Sequence, residues 1–199
     1  CVATIGNFDG VHSGHQHILS CLSEKARVMQ LPSLVITFEP QPQEFFLAKS
    51  AAHSVPPRLT RFRDKAEVIA NCAIDKLLVI HFNEAFAQLS ADYFVQQILV
   101  DKLAIRYLQV GDDFQFGKGR SGNFASLIES GKQAGFTVEN TPTFTIANER
   151  VSSTRIRKAL ETGNMELTRQ LLNRPYWMSG HVQHGAKKGR TIGFPTANI

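Results

Sequence analysis

Apolar positions along this chain fall into two alternating rhythms. Unbroken runs at residues 2–5 (VATI), 33–38 (SLVITF), 77–82 (LLVIHF) and 107–111 (YLQVG) read as strands buried on both faces. Between them the spacing lengthens to three or four residues. Ile18, Leu22, Ala26 and Met29 make one helical stripe. Residues 61–71 predict a second helix, and Ser90 is a good N-cap for a third over 91–102. Further on, the pattern predicts a helix ending near Ala134 and a short strand at 136–139. A helix capped by Ser153 then runs through Thr162 with Gly163 as its stop, and another spans 164–173. Pro40 and Pro42 interrupt residues 39–46, which predicts an irregular loop there. Strands alternating with helices at this spacing predict an α/β fold, a doubly wound parallel sheet. Ligands of such sheets bind at the carboxyl ends of the strands. Three segments occupy such ends: residues 6–15, the 39–46 loop and the loop opening at Asp112.

Composition narrows the classes. A chain of 199 residues holds one full domain and a fragment of another. Hydrophobic content of 43% with 20% charged residues is that of a soluble globular protein, and no apolar run approaches the ~20 residues of a membrane span. The net charge of +5 comes without a dense Lys/Arg run, so anionic small substrates account for it as well as nucleic acid would. Cys1, Cys21 and Cys72 match no disulfide or metal framework and fit a reducing cytoplasm. The chain opens at Cys1, inside a strand pattern and without an initiator Met; a fragment of a longer protein is expected, and an upstream targeting signal would not be visible.

The first chemical signal is Gly6-Asn7-Phe8-Asp9-Gly10-Val11-His12-Ser13-Gly14-His15, a tight turn between a strand and a helix. His12 and His15 stand three residues apart, on one face of the helix start. Free N–H groups and the positive end of the helix dipole gather there, which makes an anion site. A zinc site would need further ligands that no Cys or carboxylate cluster supplies. A P-loop would need a Gly-Lys-Ser/Thr ending that is missing. A purely structural helix start is the plainer alternative. The second signal is Arg150-Val151-Ser152-Ser153-Thr154-Arg155-Ile156-Arg157, where hydroxyls, a helix start and Arg157 suggest a second anion site. Its plain alternative is an ordinary capped helix with exposed arginines. Gly117, Gly119 and Gly122 match a dinucleotide fingerprint, but residues 112–116 separate them from the strand end where its first glycine belongs.

The decamer resembles the HxGH signature of the nucleotidyltransferase superfamily. With its GNFDG prefix it is similar to the FMN adenylyltransferase (FAD synthetase) half of bifunctional riboflavin kinase/FAD synthetases, and the second signal resembles the same family's (I/V)SST-x-IR motif. The resemblance implies a Rossmann-like transferase domain over residues 1–175 and, over 176–199, the first strands of a riboflavin kinase β-barrel. It implies transfer of AMP from ATP to FMN, giving FAD and pyrophosphate, and a full-length parent that also phosphorylates riboflavin. His12, His15, Asn7 and Arg157 would carry the catalysis, and Gly6, Phe8, Gly14, Arg150, Ser153 and Thr154 would bind ATP. The flavin would lie against Asp112, Asp113, Phe114, Phe116 and Gly117. Thr196 and Asn198 match the kinase's Pro-Thr-Ala-Asn motif. Mg2+ would be held by the ATP phosphates, with no metal ligand in the transferase domain. Gln41 stands where the family often has His, and Asp113 where many members have Asn. Two rivals remain: an HxGH transferase with another acceptor, such as pantetheine phosphate or nicotinamide mononucleotide, and a nucleic-acid-binding module suggested by the pI near 9.3. The second lacks a basic stripe with interleaved aromatics.

Overall fold

In the computed structural model, which describes residues 1–49, 55–111, 113–141, 143–183, 185 and 188–194, strands and helices alternate from the start of the chain. β1 (Val2–Ile5) leads through the glycine turn into α1 (Ser13–Met29), and β2 (Ser33–Glu39) follows. α2 (Pro42–Leu47) and α3 (Phe62–Ala70) precede β3 (Lys76–His81). α4 (Glu84–Ala87) and α5 (Ala91–Tyr93) come next, and α5 runs on into a π-helical stretch, Phe94–Lys102, before β4 (Tyr107–Val110). A ribbon of β5 (Gln115–Phe116) and β6 (Gly122–Asn123) leads to α6 (Phe124–Ala134) and β7 (Thr137–Asn140). A second ribbon, β8 (Thr145–Ile146) and β9 (Glu149–Arg150), precedes α7 (Ser153–Glu161), α8 (Met165–Leu172) and α9 (Lys188–Thr191).

Five strands form one parallel sheet in the order β3-β2-β1-β4-β7. Side chains of a strand alternate between faces, and the core divides accordingly. Val2, Val35 and Tyr107 join one apolar cluster with Leu19 and Leu22 of α1 and Ile69 of α3. Their neighbours Ala3, Ile36 and Leu108 join the other, with Leu99 of the π-helical stretch and Leu127 of α6. Burying a leucine such as Leu22 completely contributes roughly 1.5–3 kcal/mol. A third cluster, Leu59, Val151, Ile156, Leu171 and Leu172, seats α7 and α8 beside the glycine turn.

Several boundaries differ from the sequence expectation. Residues 42–47 form α2 rather than irregular loop, because Pro42 sits at the helix start, where its missing N–H is not needed, and Gln41 with Glu44 makes a capping box. The cap of α7 is Ser152, whose Oγ accepts the Arg155 N–H at 3.2 Å, so Ser153 is free for another bond. The strand expected at 136–139 lies one residue later. The helix after Ser90 is mostly π-helical, with the Leu103 N–H donating to the Ile98 carbonyl at 3.0 Å. After α8, Tyr176 packs on the third cluster and the Ser179 hydroxyl donates to the buried Asp64 carboxylate.

Candidate active site

The strand order reverses between β1 and β4, and at that switch point the carboxyl ends of β1, β4 and β7 open into a cleft of about 210 Å³, partly open to solvent. Ile5 and Gly6 form one wall with Val110, Gly111 and Thr141 beside them. Two helix starts meet there: His12, Gly14 and His15 from α1, and Ser152 and Ser153 from α7, with Arg150 just ahead. Of the sequence candidates, the cleft brings together Gly6, Phe8, His12, Gly14, His15, Asp113, Arg150 and Ser153.

The turn owes its shape to a backbone few sequences tolerate. Phe8, Gly10 and Val11 all have positive φ, of 49°, 80° and 38°. A Cβ on Gly10 would stand 2.8 Å from Leu59 Cδ1, so glycine is required there by both conformation and space. His12 is the N-cap of α1, its Nδ1 accepting the His15 N–H at 3.2 Å. That acceptor role leaves the ring proton of neutral His12 on Nε2. The two imidazoles stack at 3.6 Å between centroids and 12° between planes, and the Phe8 ring meets His15 edge-on at 5.1 Å. Burial pushes the His12 pKa down to about 4, with Arg150 and Arg174 adding to the shift. Burial also holds His15 well below the ordinary histidine range, helped by His12 and Lys65. Both are therefore neutral donors at pH 7. His15 Nδ1 and Ser13 Oγ are buried and without a partner among the described residues.

Other candidates stand elsewhere. The Asn7 carbonyl accepts from buried Lys65 Nζ at 3.1 Å, and Asn7 does not line the cleft. Arg157 turns away to Asp9 and to the Pro57 carbonyl, 2.8 Å from its Nε. Thr154 is exposed and outside the lining. Phe114 stacks on Phe116, which packs into the core with Phe94. Gly117, at φ 74°, lies so close to α5 that a Cβ would come 2.7 Å from the Ala91 nitrogen. Asp113 reaches the cleft, where its carboxylate is 3.7 Å from Arg150. Asp112, Thr196 and Asn198 lie outside the described residues.

Sequence reasoning missed the residue that joins these parts. Asp9 is 4% exposed, and its carboxylate accepts the Leu59 N–H at 3.0 Å and the Thr60 N–H at 3.3 Å while pairing with Arg157. Its carbonyl accepts from Ser153 Oγ at 2.9 Å, and the Gly10 N–H donates to Thr60 Oγ1 at 3.1 Å. The glycine turn, the segment before α3 and the start of α7 are thus fixed to one another. Nothing in the local pattern around Asp9 signals this, because its partners lie far along the chain.

Comparison with known proteins agrees with this geometry. The family model for FAD synthetase matches residues 1–155, and that for riboflavin kinase matches residues 172–199. The bifunctional riboflavin kinase/FMN adenylyltransferase of Escherichia coli (strain K12) is 47% identical over all of this chain and 62% of its own length. That of Haemophilus influenzae is 48% identical, over 100% of this chain and 63% of its own length. The chain therefore spans less than two thirds of the curated relatives it matches. A crystal structure described as a macrolide-efflux protein from Streptococcus pneumoniae superposes with a TM-score of 0.81 at 29% identity, covering 98% of this chain and 62% of that one. The strand order, the glycine turn and the family match over residues 1–155 converge: the chain belongs to the FAD synthetase family.

Proposed function

We propose that this chain transfers AMP from ATP to the phosphate of FMN, giving FAD and pyrophosphate. The observation that carries the reading is the convergence of two helix starts and two neutral imidazoles on one cleft at the sheet's switch point. An FMN phosphate with a second pKa near ~6 is already mostly ionised at neutral pH. Its oxygen attacks the α-phosphorus of ATP, the bond to the β-phosphate breaks, and pyrophosphate leaves. No proton has to be removed, so the protein aligns reactants and stabilises charge.

In this reading His12 and His15 donate to phosphate oxygens as uncharged groups, and the α1 and α7 N-termini add backbone donors. Arg150, exposed and loosely paired with Asp113, exchanges that partner for the triphosphate. Asn7 and Arg157 act from behind the turn by holding it, not by touching substrate. Among the described residues no group of three His, Cys, Asp or Glu side chains could hold a metal, and the cleft's N–H donors suit phosphate rather than a cation. Mg2+ would arrive on the nucleotide, held mainly by the ATP phosphates, and offset their charge.

We further infer a transferase unit over residues 1–175 followed by a kinase-related segment over 176–199. The whole protein would also convert riboflavin to FMN and work in the cytoplasm on small molecules rather than nucleic acid. No helix of the described residues is long and apolar enough to cross a membrane. The test is to incubate the chain with ATP, Mg2+ and FMN and separate the products. FAD and pyrophosphate in equal amounts are expected. Adenylylation of another phosphorylated acceptor without FAD would refute the flavin assignment.

A further inference from the structure

The positive-φ turn ahead of His12 needs something to hold it. A β-branched residue at φ 38°, as Val11 is, belongs to a conformation that persists only when its surroundings over-determine it. Asp9 and Thr60 fix the turn from one side through the bonds described above. From the other side its carbonyls are held by Arg174, just beyond α8, and by Gln16 of α1. Arg174 Nη2 donates to the Gly10 carbonyl at 2.8 Å, and Nη1 reaches the Leu172 carbonyl at 3.2 Å and that of Val11 at 3.4 Å. Gln16 Nε2 donates to the same Val11 and Leu172 carbonyls, both at 2.8 Å, while its Oε1 accepts from Asn173 Nδ2 at 3.2 Å.

We propose that Arg174 is a positioning residue of the transferase site, holding the turn at residues 8–11 so that His12, Gly14 and His15 face the cleft. Arg174 does not line the cleft itself. A planar guanidinium can hold three carbonyls in fixed directions, which the single ammonium of lysine cannot. The residue also lies within the riboflavin kinase match, residues 172–199, and outside the FAD synthetase match. The activity part of this inference rests on the proposed function; the structural part does not.

The test compares Arg174→Ala and Arg174→Lys with the unchanged 199-residue chain. Amide exchange is followed by mass spectrometry on peptides covering residues 6–15 and 33–39, and FAD formation is followed separately. In Arg174→Ala, residues 6–15 should exchange about ten-fold faster or more while residues 33–39 keep their protection. Its kcat should fall about ten-fold or more with the KM for FMN changed less than about two-fold, since misplacing the turn weakens transition-state contacts. Millimolar methylguanidinium should restore part of that kcat, and Arg174→Lys should fall between the two. Unchanged exchange at residues 6–15 with unchanged kcat in a folded Arg174→Ala protein would overturn the inference. If Arg174→Ala unfolds throughout, Arg174→Lys decides: wild-type exchange and turnover in that variant overturn it equally. A wild-type chain that makes no FAD would refute the proposed function, and the exchange comparison would still decide the role of Arg174.

Discussion

Replacing Asp9 by Ala should be among the most damaging single changes in this protein, although the residue never touches the cleft. The carboxylate satisfies two backbone N–H groups, of Leu59 and Thr60, and pairs with Arg157 in a site where Asp9 is 4% exposed. Each buried N–H left without an acceptor costs about 1–3 kcal/mol. Removing one member of a buried pair costs about 3–5 kcal/mol, mostly through the charge left behind. The Arg157 side chain keeps 24% of its surface, so water solvates it in part and the lower end of each range applies. The total is roughly 5 kcal/mol. For a chain of this size each kcal/mol lowers Tm by about 2–4 °C, so Asp9→Ala should melt roughly 10–20 °C lower. Asp9→Asn keeps an oxygen for the two N–H groups and loses only the charge pairing, so about half that drop is expected. Thermal unfolding followed by circular dichroism, with urea titrations as a check, measures both. A drop under about 3 °C for Asp9→Ala would refute the reasoning. So would equal losses for Ala and Asn, which would mean the N–H contacts carry nothing.

His15→Ala should reduce FAD formation by roughly 10²-fold or more, as loss of one oriented donor does, with little change in the KM for FMN; a collapsed melting temperature instead would mark a structural residue. Because the folded-state pKa of His12 lies at about 4, below its unfolded value near 6.5, the unfolded chain binds more protons in that window. Stability of the ligand-free protein should therefore be complete above pH 6.5 and decline by roughly 3 kcal/mol as pH falls to about 4, read from urea midpoints at several pH values. Gly10→Ala combines φ 80° with a Cβ 2.8 Å from Leu59 Cδ1 and should cost about 1–3 kcal/mol, measured by the same titrations.

The parts of the molecule that repeat a local rhythm were legible in the chain itself. Runs such as SLVITF specify strands because a parallel strand covered on both faces needs apolar residues throughout. The decamer specifies its turn because glycine at position 10 is a local requirement. Proline was misread at position 42, where its position relative to the helix start decides its effect, and that start is not visible in composition. The direction of Arg157 was not legible either: an arginine one turn into a helix can face a ligand or a buried carboxylate, and only the approach of Asp9 settles which. Lys65 illustrates the limit. Its ammonium lies under the glycine turn, 3.1 Å from the Asn7 carbonyl and 3.3 Å from Thr37 Oγ1. In the sequence it is one more charge on an amphipathic helix.

The central place of β1 also sets an order of events during synthesis of the chain. Val2 lies opposite Ser33 on one side and Tyr107 on the other. A ribosome adding roughly 5–20 residues per second delivers the first partner within seconds and the second only roughly ten seconds later. Through that interval one edge of β1 has no neighbour, the kind of open strand edge that recruits foreign strands or chaperones. The cleft closes later still, because Ser153 must emerge before its hydroxyl can bond the Asp9 carbonyl. The nascent chain thus carries its histidine turn well before the start of α7 arrives to be bonded to it.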